Sequence, residues 1–250
     1  MKIIRFPLQR FPVPILCSLV LAVATLHAQA DLNYLSAGKP DSAAVLAPPP
    51  LPGSPEQAAD MAQTVAVYHA CTTNEAATAF SEKKFSIFNF TPAIGAFFQP
   101  GKFPKTEAFF ERVQQDAAAV TDTAKNYWKR PRPYTVDPSL ASGKLEKSFG
   151  YPSGHSTEAT VLALVLAELF PDRHDEIMAI SRDIGWHRVK IARHYATDIY
   201  AGRVFARAIV REMQNSQDFH RDLETARDEL EAARQPLKAA TASLQPAVAN

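Results

Sequence analysis

Pro152-Ser-Gly-His-Ser-Thr-Glu-Ala-Thr-Val-Leu-Ala-Leu-Val-Leu-Ala167 is the stretch whose reading decides the fold. Its second half, Ala159 to Ala167, is the most apolar run downstream of residue 31, and Glu168 closes it. It falls well short of the roughly 20 apolar residues that a bilayer span requires, so it reads as a buried core helix. Ser156, Thr157 and Glu158 have the composition of a helix start, which predicts a helix from about Ser156 to Phe170. Downstream, further helices are predicted over about Arg173–Ile191, Thr197–Met213 and Asp218–Ala233, the last of them polar, with a flexible tail over 236–250. Upstream, residues 134–151 read as a loop. A helix over about Lys105–Lys129 is ended by Pro131 and Pro133, because proline lacks the amide donor and clashes with the preceding turn. Only nine glycines and few alternating β-branched runs argue against a sheet. The fold class expected is therefore all-α, a single-domain helical bundle with its main domain over 57–235.

The N-terminal third is less regular. Residues 81–104 carry Phe85, Phe88, Phe90, Phe97, Phe98 and Phe103 among prolines and glycines. They read as short helices joined by loops, with the rings favoured as core over pocket mouth. Pro55-Glu56-Gln57 opens a helix predicted to run to about Phe80. Residues 31–56, with Pro48-Pro49-Pro50, form a Pro-rich arm lying on or leading into the domain. Residues 1–30 have the pattern of a cleaved export signal. Lys2, Arg5 and Arg10 precede an apolar run from Val13 to Leu26, and Ala28-Gln29-Ala30 fits a cleavage site. The alternative is a retained membrane anchor, disfavoured by the shortness of the run. A periplasmic or secreted location follows, with no stable membrane insertion after cleavage.

The chain of 250 residues is 46% hydrophobic and carries a formal charge of +1. Without residues 1–30 it holds 24 Lys and Arg against 26 Asp and Glu. That balance excludes bulk attraction to nucleic acid or an anionic membrane, so any anion site must be a local cluster. Of the two cysteines, Cys17 lies in the leader, and Cys71 reads as a buried small hydrophobe rather than a nucleophile.

Three clusters carry candidate chemistry. Lys125 and Arg132 are seven apart, so on a helix they would project to one side. Taken alone they are also what solvated charges near a helix end look like. Ser153-Gly154-His155 stands before the apolar helix, where Gly154 allows close backbone approach or a positive φ and the first amides can converge on an anion. Alone, it could equally be a capped helix start with a surface histidine. The third is Arg188-Val-Lys-Ile-Ala-Arg-His194-Tyr-Ala-Thr-Asp198. One helical turn separates His194 from Asp198, so the carboxylate can fix the ring's tautomer and leave the other nitrogen free to attack. Alone, such a pair is commonly a structural hydrogen bond. Together they supply three cations, an amide nest, two histidines and a carboxylate. That inventory meets the needs of a phosphoryl group in transfer without a metal.

Lys-x6-Arg-Pro, Pro-Ser-Gly-His and Arg-x5-His-x3-Asp, in this order over Lys125 to Asp198, resemble the three-part signature of the type 2 phosphatidic acid phosphatase (PAP2) superfamily. Over most of the chain after residue 30, the arm and helical body are most similar to its bacterial class A non-specific acid phosphatases. The resemblance implies hydrolysis of small phosphomonoesters. His194 would be the nucleophile that forms a phosphohistidine, Asp198 its orienting partner, and His155 the acid and then the base. Lys125, Arg132, Ser153, Gly154 and Arg188 would hold the phosphate. No cofactor or metal is implied, vanadate is expected to bind as a phosphate mimic, and a homodimer or larger homo-oligomer is expected. One departure from the signature is His187, where the family usually has Ser before the third-motif Arg. It is a candidate modulator, able to donate to a phosphate oxygen or to shift the pH optimum. Three other readings remain open: a vanadium-dependent haloperoxidase, a periplasmic oxyanion-binding protein without catalysis, and a metallohydrolase using His187, His194 and Asp198.

Overall fold

The computed structural model describes residues 32–243, with side chains placed through 235. Residues 1–30, read as an export signal containing Cys17 and ending in a cleavage site, lie outside the described residues. Among those described there are only helices, turns and loops. In chain order the helices are α1 (Ser42–Val45), α2 (Pro55–Ala70), α3 (Thr73–Ser81), α4 (Thr91–Ile94), α5 (Pro104–Trp128) and α6 (Pro133–Val136). They are followed by α7 (Gly154–Leu169), α8 (His174–Lys190), α9 (Ala196–Met213) and α10 (Gln217–Ser243).

The apolar helix of the opening stretch, α7, is the axis of the molecule. It packs against α5, α8 and α9, while α10 covers the far side of α5 and α2 and α3 lean on α8. Val161, Leu162, Val165 and Leu166 are fully buried on it. A helix apolar all round must be enclosed, and this enclosure sets the arrangement of the others. Two of the crossings are very close. A Cβ built on Gly202 of α9 would stand 2.9 Å from the Ser153 carbonyl oxygen and 2.9 Å from the Ser156 Cβ of α7. Glycine there lets α9 press its first turns onto the start of α7, and so brings the second and third sequence clusters together.

The run expected as one helix from Pro55 to Phe80 is two. Thr72 caps α3 in a capping box with Glu75, and the chain turns between them and α2. The signal was present as Thr-x-x-Glu, inside a stretch whose apolar spacing hid it. Cys71, expected to be buried in a helix, is the half-exposed C-cap of α2 at this break. The Pro-rich arm lies on the domain. The Asp116 carboxylate accepts the amides of Asn33 at 2.8 Å and Tyr34 at 2.7 Å, and Tyr34, Leu35 and Leu46 join the core. Phe90, Phe98 and Phe103 are core, with Phe85 and Phe88 partly buried beside them. α10 extends past its expected end near Ala233, because the alanine-rich stretch after Pro236 has high helix propensity.

Candidate active site

Six segments deliver the sequence candidates to one place. Lys125 stands in the last turn of α5, and Arg132 lies four residues past that helix. Ser153 caps α7 while Gly154 and His155 begin it. Arg188 lies in the last turn of α8, His194 in the loop after it, and Asp198 in the first turn of α9. Arg132, Ser153, Arg188, His194 and Asp198 are buried, and Lys125 and His155 are half-buried.

His194 sits between two partners. Its Nδ1 is 3.3 Å from Asp198 Oδ2, and its Nε2 is 3.1 Å from Arg132 Nη1. A guanidinium has only donors, so Nε2 must present its lone pair and the proton must be on Nδ1, facing the carboxylate. In that tautomer the Nε2 lone pair faces Arg132. The His–Asp contact is not made within one helix, as the four-residue spacing suggested. α8 ends at Lys190, and Ala192 turns the chain with φ 52°. Asp198 reaches back from α9, and the same Oδ2 accepts the Tyr195 amide at 3.0 Å. Lys125 and Arg132 likewise share a side for another reason than helical register. The helix stops at Trp128, Lys129 adopts φ 50°, and Arg132 follows in extended chain. Arg132 is fixed there by donating to the Ser148 carbonyl at 2.7 Å and the Arg193 carbonyl at 3.0 Å.

Ser153 Oγ accepts the Ser156 amide at 3.3 Å, acting as the helix cap. The first amides of α7 are then left without partners inside the helix, as at any helix N-terminus. Gly154 serves close approach and not a positive φ. A Cβ there would come within 3.0 Å of Lys125 Nζ, so glycine admits the ammonium to the helix start.

A buried ion network behind the site was not foreseen. Arg130 Nη1 donates to Asp198 Oδ1 at 2.5 Å, and its Nη2 donates to Asp60 Oδ2 and Gln57 Oε1, both at 2.7 Å. Asp60 also accepts the Thr197 hydroxyl. Arg130 was visible beside the first cluster. Asp60, on α2, had no sequence signal to link it to Asp198.

His187 reaches the site through Glu82. Its Nδ1 lies 2.8 Å from Glu82 Oε2, and the Glu82 backbone lies close enough to His155 to favour its protonated form. His155 Nε2 is buried and has no partner among the described residues. The Phe85 ring, 5.6 Å away, packs on the other side of His155. His187 therefore anchors Glu82, and through it we expect an effect on His155. A His187→Ser variant is expected to lose several-fold in kcat with poor leaving groups and little with good ones. Identical losses for both classes would show that residue 187 acts elsewhere.

Burial, then the Arg188, Lys125 and Arg132 charges, lowers the His155 pKa to about 3, opposed by the Glu82 backbone. Burial, then Arg132, Lys125 and Arg188, holds His194 well below the ordinary imidazole range. Both histidines are pushed down, because both are buried and face the same cations. Burial raises the Asp198 carboxyl, against the pull of Arg130 and the Tyr195 amide.

The sequence model of the PAP2 superfamily matches residues 117–220. The chain is 31% identical over 193 residues to an acid phosphatase of Zymomonas mobilis subsp. mobilis, covering 74% of this chain and 73% of that one. It is 29% identical over 210 residues to a non-specific acid phosphatase of Providencia stuartii, covering 80% and 85%. Among solved structures it resembles a transmembrane PAP2-type phosphatidylglycerolphosphate phosphatase of Bacillus subtilis, with TM-score 0.50 and 20% identity over 70% of this chain and 89% of that one. That likeness concerns the fold alone.

Proposed function

This chain belongs to the PAP2 superfamily and is an acid phosphatase, and from that premise we propose that it hydrolyses small phosphomonoesters by double displacement through His194. The observation that carries the reading is the His194 ring held between Asp198 and Arg132, its Nε2 lone pair turned toward the cationic pocket. In the first step Nε2 attacks phosphorus, the P–O bond to the alcohol breaks, and His155 gives its proton to the departing oxygen. In the second step His155 takes a proton from water, whose oxygen attacks the phosphohistidine and releases phosphate and free imidazole. Lys125, Arg132, Arg188 and the amides at the start of α7 hold the equatorial oxygens as charge builds there. Three fixed cations already fill the role that a divalent metal would serve, and they would repel one, which supports a metal-independent reaction. The leader pattern over 1–30 supports export to the periplasm or beyond.

The depressed His155 sets the expected pH dependence. With its pKa lowered to about 3 it is neutral at mildly acid pH, so the proton enters with the substrate. A phosphomonoester is a monoanion below its second pKa of about 6 and carries that proton in. Once bound, the anion offsets the cations and lets His155 hold the charge. kcat/KM is therefore expected to fall as pH rises through about 6. His194, held low, stays nucleophilic toward the acid side.

A leaving-group series tests the assignment. His155→Ala is expected to lower kcat about 10²- to 10⁴-fold for alkyl phosphates, the usual worth of a positioned acid. It should lower kcat far less for p-nitrophenyl phosphate, whose leaving group needs no proton, and excess chelator should not change either result. Equal losses across the series would remove His155 as the acid.

A further inference from the structure

Beside the phosphate pocket, and sharing Arg188 with it, lies a cavity of about 510 Å³ between the end of α3 and the loop over 141–149. Lys83, Lys144, Lys147, Arg188 and Arg193 line it, with Glu146 as the one acid among them. We propose that this cavity is a second phosphate subsite, and that the preferred substrates are organic bisphosphates. In these, one phosphate reacts at His194 while the other is held in the cavity. The inference rests on the reading above, in which Arg188 contacts the reacting phosphate.

Two observations point to an anionic ligand. First, Arg193, which the reacting phosphate does not use, is 1% exposed, yet its Nη1 finds no partner among the described residues. Buried guanidinium N–H groups without acceptors are costly, and phosphate oxygens would satisfy them. Second, Glu146 spans the pair, with Oε1 3.5 Å from Arg188 Nη2 and Oε2 3.1 Å from Arg193 Nε. That carboxylate is one-third exposed on the loop, a single charge set against five. It marks where an anion is held and leaves most of the positive charge uncompensated. The chain after residue 30 carries slightly more acids than bases, so five cations around one cavity are a local feature. Phe80 and Leu145, 40% and 41% exposed, offer an apolar wall to the organic body between the two phosphates.

The test compares fructose 1,6-bisphosphate with fructose 6-phosphate. In the wild type, kcat/KM is expected to be at least about tenfold higher for the bisphosphate, the worth of one charge-assisted contact. A Lys83→Ala, Lys144→Ala, Lys147→Ala variant changes only exposed side chains outside the reaction centre. It should retain wild-type kcat/KM for the monophosphate and lose the advantage of the bisphosphate, down to the twofold that two equivalent esters give. Wild-type values within twofold of each other, or an advantage that survives in the triple variant, would overturn the subsite. No turnover of either sugar phosphate would instead strike at the phosphatase reading beneath it.

Discussion

Alanine at position 194 is expected to lower kcat roughly 10⁴- to 10⁶-fold, the range seen when a hydrolase loses its nucleophile or the base that serves it. The size follows from the site's design. The imidazole is buried, its tautomer is dictated by Arg132 on one side and Asp198 on the other, and the pocket cations keep it unprotonated. Substrate binding should survive, because Lys125, Arg188 and the α7 amides remain. The variant should therefore show a collapsed kcat with inorganic phosphate still inhibiting or binding. Loss of phosphate binding together with turnover would mean that His194 builds the pocket and does not act in it.

The second large effect is on stability. Arg130→Met is expected to destabilise the fold by about 3–5 kcal/mol, as breaking a buried ion pair from one side does. Arg130 is 4% exposed and stands between the buried carboxylates of Asp60 and Asp198, satisfying both. Its removal leaves two acids facing a desolvated space. Burial already pushes the Asp198 carboxyl upward, and without Arg130 it should take up a proton. It would then orient His194 less well, so activity should fall with stability. Denaturant unfolding measures the first loss. Adding Asp60→Asn to Arg130→Met should recover part of it, since one of the stranded charges is gone. A double variant no more stable than the single one would show that the network is not the source of the effect.

The sequence made the site residues legible because the chemistry is written in short motifs, and the helical class legible because one strongly apolar segment had to be enclosed. What joins the motifs was not legible. Helical register seemed to align Lys125 with Arg132 and His194 with Asp198, but the alignment comes from left-handed turns at Lys129 and Ala192 and from a carboxylate reaching back across a helix start. Asp60 and Glu82 escaped notice because each acts on residues far along the chain, through contacts that leave no spacing to read. His187 could be singled out from its place in the third motif. Its partner could not, and that partner gives it a different reach from the direct phosphate contact first considered.

The central claim is that phosphate passes through nitrogen of residue 194. The most direct measurement is rapid alkaline quench during turnover of a phosphomonoester, followed by mass mapping of the phosphorylated peptide. The account predicts one alkali-stable, acid-labile phosphate on His194, formed at the rate of the burst and absent from the alanine variant. Label on another residue, or steady turnover with no phospho-enzyme and inversion at phosphorus, would contradict it.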